Sequence, residues 1–111
     1  MKIVRYGVYW ANLDPVIGAE INKTRPVVVV SDDLMNSHLQ TVVVCPLTST
    51  LHPEWRSRIQ TELRGKESDI AVDQIRTISK RRLFKKIAAL QPTESLRLRL
   101  LITEMYGESS E

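Results

Sequence analysis

Cysteine is nearly absent from this 111-residue chain, in which Cys45 stands alone. A lone thiol excludes an internal disulfide and any cysteine-based zinc site. It lies inside the apolar run Thr41–Pro46, so it reads as a buried core thiol in a reducing compartment. Histidine is scarce too: His38 and His52 are the only two, and both fall in loop-like segments with no second ligand nearby. No metal or other cofactor is expected, and spacing supports no Ser-His-Asp arrangement. The four glycines are scattered at 7, 18, 65 and 107, which excludes a phosphate-cradling glycine loop. Aromatic residues make up only 5% of the chain, so Leu, Val and Ile must fill the core. No run approaches the ~18 apolar residues of a membrane span. The opening Met-Lys-Ile-Val-Arg-Tyr-Gly lacks the apolar stretch of a secretory signal. A cytoplasmic protein without a membrane partner is therefore expected.

What is present is a modest excess of base and a wealth of β-branched residues. The net charge of +3 and a pI near 9.2 favour an anionic partner. The length suits a single domain over residues 1–111. Residues 6–13 read as a first strand, ended by Asp14-Pro15, with a loop over 16–24 hinged at Gly18. Val27 to Ser31 is a second strand, buried on both faces because four consecutive valines have no amphipathic period. Pro26 has no N–H for a ladder and belongs at that strand's first position. Asp32, Asp33, Asn36 and Ser37 mark a connection, with Leu34, Met35 and Leu39 packing back. Thr41 to Pro46 is a third strand, also buried on both faces, followed by Thr48-Ser49-Thr50 as a polar exit.

Further on, residues 57–63 alternate, with Ile59, Thr61 and Leu63 facing inward and Arg58, Gln60 and Glu62 on a wet face. A turn over Arg64–Ser68 leads to a strand from Ile70 to Arg76, and Ile87 to Leu90 is a last short strand. After Pro92, Thr93 is suited to cap a helix with Glu94 in its first turn. Leu98, Leu101, Ile102 and Met105 follow the helical spacing, and Gly107 stops it. The fold class is mainly β with a C-terminal helix, a small and strongly bent antiparallel barrel.

Two groups of residues carry chemistry. Arg25 starts one buried strand and Thr48 follows the end of the other, so antiparallel pairing would bring both to the same rim. A guanidinium beside a hydroxyl suits a phosphodiester, supplying charge stabilisation and a donor. The plain alternative is a structural Arg bonded to loop carbonyls. The second group is the basic run Arg76, Lys80, Arg81, Arg82, Lys85 and Lys86, which contains no acid. It reads either as a solvated turn that discourages edge pairing or as a patch that tracks phosphates.

Three collinear blocks resemble the MazF/PemK/Kid family of toxin endoribonucleases. They are Tyr6–Glu20 leading to Arg25-Pro26-Val-Val-Val-Val-Ser31, then Thr41–Ser49, then Asp73-Gln-Ile-Arg-Thr-Ile-Ser-Lys-Arg-Arg-Leu83. The resemblance implies an SH3-like barrel of the CcdB/PemK type that forms a homodimer and cleaves single-stranded mRNA without a metal. It further implies a cognate antitoxin that wraps over the RNA site. Arg25 and Thr48 fall at the family's catalytic positions. Ile17, Ala19 and Glu20 of the loop, and Asp73 and Gln74 of the third block, fall at RNA-contacting ones, joined by Arg76, Arg81 and Arg82. One branch of the family draws its catalytic Asp and Arg from the third block, which implies a larger role for Asp73 and Arg76. The chain also departs from the pattern. The family's Gly-Ser-Glu-Gln-Gly-Gly loop reads Gly18-Ala19-Glu20-Ile21-Asn22-Lys23 here, without the two later glycines and without a hydroxyl at Ala19.

RNA carries its own nucleophile. Attack by the 2′-OH needs a base, charge stabilisation at phosphorus and an acid for the 5′-oxygen, and leaves a 2′,3′-cyclic phosphate and a 5′-hydroxyl. Arg25, Glu20 and Asp73 are all candidates for the base. Two other functions fit the same barrel: a non-enzymatic CcdB-like toxin that binds DNA gyrase, and a catalytically inactive nucleic-acid-binding module.

Overall fold

Val27 to Val30 bury all four side chains, Val28 and Val30 into one apolar cluster and Val27 and Val29 into another. A strand clothed on both faces requires material on each side of its sheet, and the rest of the chain supplies it. The structure is a computed structural model that describes residues 1–107. Its strands are β1 (Gly7–Asn12), β2 (Thr24–Val29), β3 (Thr41–Thr48), β4 (Arg58–Leu63), β5 (Lys66–Ala71), β6 (Arg76–Ser79) and β7 (Leu83–Ala89). A short helix α1 (Asp33–His38) joins β2 to β3, and α2 (Pro92–Tyr106) follows β7. The strands form one antiparallel sheet in the order β4-β5-β3-β2-β1-β7, with β6 set beside β3. The expected bent barrel is thus a sheet curled into a half-barrel.

β3 is the strand on which the curl turns. Its first half, Thr41–Val44, pairs with β6, and its end, Leu47 and Thr48, pairs with β5. Between these ladders lies Pro46, which pairs on its other side with Val27. The gap falls where the chain has no N–H to donate. Side chains alternate along the strand as a period of two demands: Val42 and Val44 enter one cluster, Cys45 and Leu47 the other. Leu98 of α2 is fully buried in that second cluster, and Leu101, Ile102 and Met105 pack against it, as their spacing predicts.

Several elements differ from the sequence reading. β2 begins at Thr24, so Pro26 is its third residue. There β2 pairs only with β1, Pro26 against Trp10, because its ladder with β3 starts at Val27. The connection after Ser31 is helix α1, capped by the Asp32 carboxylate accepting from the Met35 N–H at 2.9 Å. Leu34, Met35 and Leu39 do not pack back: they are exposed, Leu34 at 71%. Asn36 is buried instead, donating to the Ser31 carbonyl and accepting from the Ser31 hydroxyl. The strand expected over Ile70–Arg76 breaks at Ala71 into a 3-10 turn over Val72–Gln74 before β6 begins. β7 starts at Leu83, earlier than Ile87, because β1 offers it a partner from Ala11 to Gly7. At the start of α2 the cap is Gln91 rather than Thr93. Pro92 takes the first helical position, and Glu94 accepts the Gln91 N–H at 2.9 Å.

Candidate active site

The β2–β3 register pairs Val29 with Val44, Val28 with Cys45 and Val27 with Pro46. Continued by two residues, the same register sets Arg25 against Thr48. Both line one pocket of about 470 Å³, together with Trp10, Ser49, Arg64, Lys66 and Ser68. Arg25 donates its Nε–H to the Asn22 carbonyl at 3.1 Å. That bond is the structural anchor the plain reading foresees, yet it uses one of five donors. Among the described residues, no carboxylate lies within ion-pair distance of Arg25. Thr48 is 7% exposed, and its hydroxyl oxygen accepts the Thr50 N–H at 3.1 Å. With a lone pair committed, the hydroxyl proton is the part free to face a ligand. The pocket lining carries three cations and four hydroxyls and no acidic side chain. Such a surface attracts anions.

The acidic candidates lie elsewhere. Ala19, Glu20, Asp73, Gln74 and Arg76 line a second depression of about 420 Å³. Glu20 folds back on its own loop, its carboxylate accepting the Ile17 N–H at 2.6 Å. Ile17 is 85% exposed at the loop's crown and lines neither pocket. Gln74 reaches across from the 3-10 turn to accept the Ile21 N–H at 2.6 Å, and its amide donates to the Ala19 carbonyl at 3.5 Å. Asp73 accepts from the Ser57 hydroxyl at 2.9 Å and from Arg58 Nε at 2.8 Å. Partial burial works to raise its pKa, but these hydrogen bonds and the Arg58 charge outweigh it and hold the carboxyl below the ordinary Asp value.

Residues 4–106 fit the model of the PemK-like, MazF-like toxin of type II toxin–antitoxin systems. The chain belongs to that toxin family. It is 34% identical over 98 residues to endoribonuclease EndoA of Bacillus subtilis, which covers 81% of this chain and 82% of that one. The fold is similar to that of crystalline MazF from Deinococcus radiodurans, with a TM-score of 0.85 at 20% identity over 97% of this chain and 99% of that one. It is also similar to that of a mycobacterial endoribonuclease in complex with its cognate antitoxin, with a TM-score of 0.81 at 19% identity over 98% and 99% of the two chains.

In this MazF-like chain the basic run divides. Arg76 donates to the Leu13 carbonyl at 3.4 Å, and Arg82 donates to the carbonyls of Asn12 and Asp14. These two arginines clamp the exit of β1. Arg81, Lys85 and Lys86 are exposed. His38 ends α1, and His52 stacks on Trp55 with ring centroids 3.7 Å apart. Among the described residues, no three His, Cys, Asp or Glu side chains group as a metal site, and no helix is long and apolar enough to cross a membrane.

Residue-by-residue reading missed two features. Arg58 does not lie on a wet face; it is buried between Asp69 and Asp73 and covers Trp55 at 4.7 Å. Trp10, Arg64 and Lys66 also line the Arg25 pocket. The signal for the last two was available. The alternating strand over 57–63 runs into Arg64-Gly65, a turn signal, and a tight hairpin places the cations at and beside its tip.

Proposed function

We propose that this toxin is an endoribonuclease that cuts single-stranded mRNA at the Arg25–Thr48 pocket. The observation that carries the reading is the meeting of Arg25 and Thr48 in a cavity lined by cations and hydroxyls without an acid. The Arg25 terminal amino groups hold the phosphoryl oxygens, and the Thr48 hydroxyl adds a donor where negative charge develops. The 2′-oxygen attacks phosphorus and the bond to the 5′-oxygen breaks. The 2′ proton leaves as the bond to phosphorus forms, Arg25 gives a guanidinium proton to the departing 5′-oxygen, and the neutral guanidine so left takes up the 2′ proton, so the charge of Arg25 is unchanged. Glu20 and Asp73 suit this proton transfer less well. Neither lines the pocket, and the Asp73 carboxyl is already engaged by Ser57 and Arg58.

Ala19, Glu20, Asp73, Gln74 and Arg76 extend the RNA path along the second depression, and Ile17, Arg81 and Arg82 add to it from outside that depression. The active form is a homodimer in the cytoplasm, where mRNA is found, restrained by a cognate antitoxin. One domain, residues 1–111, carries the whole activity.

The ends of the products test the chemistry. A short RNA cut by the protein should yield a 2′,3′-cyclic phosphate (or its 3′-phosphate) and a 5′-hydroxyl by mass spectrometry, with EDTA present or absent. RNA that is 2′-deoxy at the scissile nucleotide should resist. A 5′-phosphate product, or cleavage of the deoxy substrate, overturns the mechanism.

A further inference from the structure

Two of the three cations in the Arg25 pocket have no role in the chemistry above. Arg64 and Lys66 flank Gly65 at the tip of the β4–β5 hairpin, where the pairing of Leu63 with Lys66 closes a two-residue loop. Arg64 and Gly65 have φ of 52° and 82°, the left-handed pair that such a turn needs. Asn or Gly meets that need at little cost and Arg does not. A strained non-glycine residue at a pocket points to a use for its side chain.

The hairpin is also aimed. β5 pairs with β3 only at Leu47–Ile70 and Thr48–Asp69. Residues 66–68 therefore run on past the end of β3, Lys66 standing three residues, about 10 Å, beyond the level of Thr48. Lys66 and Ser68 share the face that further along buries Ile70, and both line the pocket. Among the described residues, no carboxylate lies within ion-pair distance of Arg64 or Lys66.

We propose that the hairpin tip is a second phosphate subsite. Arg64 and Lys66 hold the phosphate next to the scissile one and so set the strand's register over Arg25 and Thr48. This rests on the nuclease reading of the pocket and names a part of the substrate that the chemistry does not touch.

The test is Arg64→Asn with Lys66→Gln, since Asn suits the turn and both changes remove charge. Lys66→Gln alone carries the same test should the double variant not fold. The probe is a short RNA spanning one mapped cut, in a cleavable form and in a form blocked by 2′-O-methyl at the cut. Binding to the blocked RNA should weaken about tenfold and KM should rise alike, with the slope of log K against log salt shallower by about 0.7. The kcat should hold. A neutral methylphosphonate at the neighbouring linkage should cost the parent protein the same factor and cost the variant nothing more.

Unchanged affinity and salt slope overturn the proposal, and so does a fall in kcat with KM unchanged. If RNA binding holds while binding of a polyglutamate peptide weakens, the hairpin serves a protein partner and the proposal is wrong. The nuclease reading fails separately, if Arg25→Ala cuts as fast as the parent. The blocked-RNA affinities report on the hairpin even then.

Discussion

Arg25 and Arg58 are the same residue type under opposite conditions. Arg58 is buried, with a carboxylate on Nε and another on a terminal amino group, so the fold depends on it. Arg25 spends one bond on a loop carbonyl and leaves the remainder to the pocket. Arg25→Ala should therefore change stability by no more than about 1 kcal/mol. Single-turnover cleavage should fall about a thousandfold, the scale of losing a donor from a developing oxyanion. Parent-like cleavage by a folded variant rules out the catalytic role. Cys45 offers a third contrast. Burial first, and then the nearby Asp73 charge, push its thiol up to about 12, so it serves the core as a small apolar group.

Among the elements, the loop between β1 and β2 is held by a side chain distant in the sequence. Gln74 is 53 residues from Ile21, yet it accepts that residue's N–H. The same loop is closed at its base by the Lys23 N–H on Asp14 at 3.0 Å and the Leu13 N–H on the Lys23 carbonyl at 2.9 Å. The clasp links the 3-10 turn to the segment that delivers Arg25, and it takes over the restraint that the loop's missing glycines also favour. Gln74→Ala should speed amide exchange at Ile21 about tenfold, the worth of one net hydrogen bond, with exchange in the β2 core unchanged. Unaltered exchange at Ile21 would show that the loop holds itself. The β4–β5 hairpin is different in kind, because its own tight turn orders it and no distant residue is needed.

For the whole molecule, the Asp69–Arg58–Asp73 group joins β4, β5 and the turn after β5, so its ionisation bears on global stability. The folded pKa of Asp73 is depressed. The unfolded chain therefore binds the proton more readily, and stability falls as pH drops. The contribution is fully present above the ordinary Asp value of about 3.9 and is lost as pH falls through the lower folded value. Urea unfolding measured from pH 5 downward should show this decline in the parent. Asp73→Asn should be less stable at pH 5, and its curve should be flatter below pH ~4. Parallel curves would mean that the pairing contributes nothing net.

The sequence by itself determined the strands that are buried on both faces, because short runs of β-branched valine favour strand over helix and carry no polar face. It also determined the inward stripe of α2, whose spacing is local, and the antiparallel order of two such strands brings Arg25 and Thr48 to one rim, where both line the same pocket. Three matters were decided by tertiary structure. The sheet's curl leaves β2 without a β3 partner at Pro26, so the strand could start earlier than proline suggests. Arg58 alternates like a wet-face residue, and only the packing of β5 and its following turn brings the carboxylates 11 and 15 residues ahead onto it. Glu20 and Asp73 lie in blocks as suggestive as those of Arg25 and Thr48, yet they line a different depression. Spacing along a chain constrains neighbours within an element, whereas the distance between two loops is set by how the sheet bends.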